Sequence, residues 1–140
     1  MNSNNEFPSQ ASVLLRKTMR ALLVGVGGNI ILFLFLTTFL HISETNRFIP
    51  WIIAFNSCLT GFSLVSKDLY TLPHLKAISV VTGLLNALIS TALIVGLTQL
   101  QFGDYFLGIS DYIIFAVIGM VCSGLGTLLA VKYYMANPNQ

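Results

Sequence analysis

Charge is what this chain has least of. Only 9% of its 140 residues are Asp, Glu, Lys or Arg, against 55% hydrophobic, where soluble chains carry roughly a quarter charged. Four stretches, residues 21–43, 48–66, 77–103 and 112–131, hold no charged residue at all. A proton relay, a voltage sensor or a cation-coupled exchanger needs an ionisable side chain inside such a stretch, so these devices are excluded. Cysteine is scarce too. Cys58 and Cys122 stand alone in apolar surroundings without CxxC spacing, which removes a disulfide framework and a zinc site; both read as small packing residues. Glu44, Asp104 and Asp111 have no His or Lys beside them, and Asp68 is neighboured by Lys67. No catalytic constellation forms, and the chain is expected not to be an enzyme and to carry no cofactor. A net charge of +2 is too small and too segregated for nucleic acid.

What remains is length and apolarity. The mean hydropathy is +0.80, and each uncharged stretch, at ~1.5 Å per helical residue, can cross a hydrocarbon core ~30 Å thick. These features predict an all-α, integral membrane four-helix bundle with spans at about 21–42, 48–66, 77–100 and 112–131. They form one domain over 20–134, with a cytoplasmic tail at 1–19, disordered over 1–12, and a short tail at 135–140. Pro50 is expected in the first turn of the second span, and Ser110 with Asp111 at the cap of the fourth. The first stretch is too long for a cleavable signal core and reads as a retained helix. Short connections imply antiparallel, up-down neighbours. Arg16, Lys17, Arg20, Lys67, Lys76 and Lys132 then fall on one side and only Arg47 on the other, which places both termini in the cytoplasm by the positive-inside rule. His41 and His74 fall on opposite faces and cannot share a haem. The expected setting is multi-pass, in a bacterial inner membrane or an equivalent such as a thylakoid. The lipid bilayer is the first partner, and Arg16, Lys17 and Arg20 anchor to headgroups at ~1 kcal/mol each.

Function must then lie with the few polar and small residues inside the spans. Small residues four apart mark packing ridges, for helix contacts within the chain or with a membrane-protein partner or second copy. Gly25 with Gly28 beside it marks one ridge, Ser57 and Gly61 another, Gly83 and Ala87 a third, and Gly119 and Ser123 with Gly126 close by the fourth. Asn29, Asn56 and Asn86 each lie nine or ten residues in from a charged boundary, ~14 Å deep by the helix rise. Ser123 marks the matching depth on the fourth helix. A carboxamide in hydrocarbon must find partners, so this midplane layer is either a structural clasp, at ~0.6 kcal/mol per bond, or the lining of a path.

The two halves can be laid over one another as a tandem hairpin duplication, with Gly25 and Asn29 over Gly83 and Asn86. At the segments "RALLVGVGGNIILFLF" (20–35) and "LLAVKYYM" (128–135) the chain resembles the GtrA-like family. That resemblance implies a small four-helix translocase of a polyprenol-linked sugar. The end of the second span, "GFSLVSKDLY", differs from that family's Asn-Arg-aromatic exit. Apart from the resemblance, uncharged spans and ridges point to a non-catalytic accessory or assembly subunit of a membrane complex, with the lipid-linked translocase as the alternative.

Overall fold

The computed structural model describes residues 10–67, 69–103 and 107–136. It consists of four helices: α1 Gln10–Phe39, α2 Ile42–Leu64, α3 Leu75–Phe102 and α4 Ile109–Ala136. There is no strand among the described residues. Three helices are long and apolar enough to cross a membrane, at Ala11–Phe39, Leu75–Phe102 and Ile109–Ala136. This is compatible with a membrane protein. α2 does not join them: its first turns carry Glu44, Asn46 and Arg47, and the shorter uncharged part that follows includes Asn56, Ser57 and Thr60, which it buries.

Several boundaries differ from the sequence reading. The tail expected to be disordered falls largely on residues 1–9, which lie outside the described residues, but helix α1 already begins at Gln10. Arg16, Lys17 and Arg20 therefore project from a continuous helix, because long basic side chains are good helix formers. The first connection shrinks to Leu40 and His41. α2 starts early because the His41 carbonyl accepts the Glu44 and Thr45 amides at 2.9 and 3.0 Å, with Glu44 at the positive end of the helix dipole. Pro50 consequently lies well inside α2 rather than in its first turn. α3 closes at Gly103, whose φ of 75° is the left-handed cap glycine tolerates. In α4 the cap is Gly108: its N–H donates to Asp111 Oδ2 at 2.7 Å, so Asp111 acts from the third helical position, as in a capping box, and Ser110 is already helical.

Packing follows the small residues. α4 lies against α2 and α3, while α1 rests on α2 and α3 and does not reach α4 among the described residues. At the α2 and α4 crossing a Cβ on Gly61 would strike the Ser123 carbonyl, and one on Gly126 the Cys58 carbonyl. At the α3 and α4 crossing Gly83 and Gly119 face each other's carbonyls, and Ala87 closes on Gly119. Gly25 meets Thr60 and Gly28 meets Asn56. Two apolar clusters seal the ends, one around Phe33, Ile49, Ile53, Ile94 and Phe115, the other around Leu64, Leu69, Leu75 and Ala130. The large apolar side chains left over, such as Leu23, Ile31, Trp51 and Ile113, point outward, whereas Ser79, Ser90, Thr91 and Thr127 are fully buried.

Candidate functional site

The polar interior divides into two groups. The first joins α1 to α2 and α3. Asn29 Nδ2 donates to Ser90 Oγ at 2.7 Å, and Asn86 Nδ2 donates to Ser57 Oγ at 3.1 Å. Asn56 Nδ2 turns back to the Ile52 carbonyl at 3.2 Å, and Thr60 Oγ1 donates to the Asn56 carbonyl at 2.7 Å. All three asparagines are buried, Asn29 and Asn86 completely. They bond hydroxyls and carbonyls rather than one another.

The three asparagine side chains each bond through an amide N–H, which leaves oxygens over. Asn29 Oδ1 and Asn86 Oδ1 are buried without a hydrogen-bond partner. Such an acceptor costs about 1–3 kcal/mol in lost hydration. The α1 glycines soften that cost. A Cβ on Gly25 would lie 2.7 Å from Asn86 Oδ1, and one on Gly28 would lie 2.5 Å from Asn56 Oδ1. With hydrogen in place of Cβ, the bare α1 backbone can offer weak Cα–H contacts to those oxygens. α1 is also the least embedded of the three apolar helices, with 17% of its apolar stretch buried against 44% for α3 and 33% for α4.

The second group locks α4. Ser79 Oγ donates to the Ser123 carbonyl at 2.9 Å, and Ser123 Oγ donates to the Ser79 carbonyl at 2.8 Å. Thr127 Oγ1 lies 2.8 Å from the Gly61 carbonyl and 2.5 Å from Ser79 Oγ. Ser123 is thus not brought to the asparagines. Its partner Ser79 precedes Asn86 by seven residues, ~10 Å along α3; counting inward from Lys76 on one side and Asp111 on the other assumed that each charge stands at its own membrane boundary. At the level of Asn86, α4 presents Gly119, packed on Gly83 and Ala87.

All the ridge residues named from the sequence, Gly25, Gly28, Ser57, Gly61, Gly83, Ala87, Gly119 and Gly126, make contacts inside the chain. Thr60 and Ser90 were missed. Each stands four residues after an asparagine, on the same helical face, and extending the asparagine faces by one turn would have found them.

Arg16, Lys17 and Arg20 line two adjoining recesses. One, of about 330 Å³, lies at the α1 and α2 seam between Lys17, Arg20, Ala21, Val24 and Ser63. The other, of about 350 Å³, runs along Ser12, Val13, Arg16, Lys17 and Arg20. Cys58 and Cys122 are free and half-buried. No group of three His, Cys, Asp or Glu gathers among the described residues. Comparison with known protein families, characterised proteins and solved structures finds no match to this chain.

Proposed function

We propose that this chain is a small multi-pass carrier that moves the polar head of a lipid-linked substrate past the carboxamides of Asn29, Asn56 and Asn86, without making or breaking a covalent bond. The observation that carries this reading is the pair of buried, unpartnered oxygens on Asn29 and Asn86, held at the interface of the least embedded helix. Neutral carboxamides both donate and accept, which suits a hydroxyl-rich, uncharged head such as a sugar. The GtrA-like resemblance of residues 20–35 points the same way. The accessory-subunit reading drew on the uncharged spans and on those ridges, and the ridges are occupied within the chain.

In this reading all four helices cross in up-down order. Support comes from the contacts: Gly25 with Thr60 and Gly28 with Asn56 run in opposite senses, as do Gly83 with Gly119 and Ser79 with Ser123. α2 crosses as the shielded helix, its polar residues turned inward, which a hydropathy average cannot register. The distribution of Lys and Arg favours cytoplasmic termini. A tandem duplication is favoured by the α2 and α4 crossing, where Cys58 and Gly61 of one helix meet Gly126 and Ser123 of the other in reciprocal fashion.

Asn and Leu have nearly the same branched shape, so the triple variant N29L/N56L/N86L removes hydrogen bonding with little change in packing. Transport of a lipid-linked sugar into proteoliposomes should fall to background while the variant stays folded. Removing two bare oxygens offsets the lost hydrogen bonds, so its stability should stay close to that of the parent. Full transport by a folded triple variant would refute the proposal.

A further inference from the structure

The basic recess at the α1 and α2 seam is a candidate for more than diffuse attraction to a membrane. Two helices build it. α1 supplies Lys17 and Arg20 over an apolar floor of Ala21 and Val24, and α2 supplies Ser63. Among the described residues the carboxylates are Glu44 and Asp111, at the starts of α2 and α4. Glu44 precedes Ser63 by nineteen residues, ~28 Å along the helix, so neither neutralises the recess. A surface of this kind selects an anion that also carries apolar chains.

The Ser63 hydroxyl narrows the chemistry. Its proton is engaged, because Ser63 Oγ donates to the Thr60 carbonyl at 3.0 Å. What Ser63 offers a ligand is therefore a lone pair. A matching headgroup brings a phosphate for Lys17 and the planar fork of Arg20, and a hydroxyl donor for Ser63. The recess does not lead to the asparagines. One residue beyond Val24, Gly25 is pressed against Thr60 and Asn86, which closes the seam. Its occupant is a stationary lipid, not a passing substrate.

The geometry points to a binding site for one anionic glycerophospholipid with a hydroxylated headgroup, of the phosphatidylglycerol kind, whose phosphodiester bridges Lys17 and Arg20 of α1 and whose head hydroxyl reaches Ser63 of α2. Such a lipid ties the N-terminal half of α1 to α2, the contact that roofs the asparagine layer. This rests on the membrane reading but not on transport.

The test uses the purified full-length protein and native mass spectrometry, with phosphatidylglycerol, phosphatidate, phosphatidylcholine and a polyprenyl phosphate each added. Phosphatidylglycerol should be retained in a one-to-one complex. K17Q should weaken that complex about fivefold and K17Q/R20Q about thirtyfold, the effect of one and two cations near a lipid surface. K76Q removes an equal charge from the exposed start of α3, outside the recess, and should leave retention unchanged. S63A should abolish the preference for phosphatidylglycerol over phosphatidate. Unfolding of K17Q in phosphatidylcholine alone should match the parent, which separates lost lipid from lost fold. Equal losses in K17Q and K76Q, or tighter retention of polyprenyl phosphate than of phosphatidylglycerol, would overturn the assignment. N29L/N56L/N86L keeps the recess and should retain phosphatidylglycerol as the parent does, so this proposal and the transport proposal fail separately.

Discussion

Gly61→Ala is expected to destabilise the bundle by about 3 kcal/mol, the upper end of what one inserted methyl group does in a packed interior. The added Cβ lands on the Ser123 carbonyl, which is backbone and cannot rotate away. Gly126→Ala meets the Cys58 carbonyl and should behave alike, as should Gly83→Ala against Gly119. Gly27 and Gly96 have nothing within 4 Å of the corresponding position. Alanine there should be neutral or stabilising by up to ~1 kcal/mol, the helix propensity difference. Unfolding in mild detergent compares the five variants directly. Ridges that served only an external partner would give no such ranking in the isolated chain, with all five variants near neutral.

Gly25→Leu should act differently, by releasing one helix. The atoms facing Gly25 are the tips of Thr60 and Asn86. A methyl group there can be partly accommodated, but a leucine cannot. α1 holds to the rest through Gly25, Gly28, the Asn29 to Ser90 hydrogen bond and the Phe33 cluster, with no close backbone approach to α4 among the described residues. α2, α3 and α4 remain joined to one another through Ser79, Ser123, Thr127 and Gly61. Amide exchange in residues 24–33 should therefore accelerate by about two orders of magnitude, the effect of losing ~3 kcal/mol of local protection. Exchange in residues 79–87 should stay slow. Uniform acceleration across all four helices would show that α1 is not a separable element.

The four charge-free stretches made the helices legible, since an apolar run of that length has few other solutions in lipid. The asparagines were legible as buried groups for the same reason. Their partners were not: which hydroxyl meets Asn29 depends on the relative height of α1 and α3, and nothing local in either segment records it. Ser123 shows the same limit, having the right depth from Asp111 and the wrong neighbour in space. Pro50 misled because proline is commonest at a helix start, whereas the His41 carbonyl and Glu44 begin α2 before it. The start of α1 was hidden by the habit of ending a span at its first cation. Ser63 could not be tied to Lys17 from sequence, because their meeting is a product of the α1 and α2 packing.

In the proposed carrier α2 crosses the membrane as the shielded, polar member of four spans. With Cys58 and Cys122 replaced by alanine, single cysteines at Ser43 in the first turn of α2 and at Thr71 in the connection that follows α2, both exposed, report its two sides to a membrane-impermeant maleimide. The account predicts that S43C labels in intact cells and T71C only after the membrane is opened. Labelling of both from the same side would contradict it.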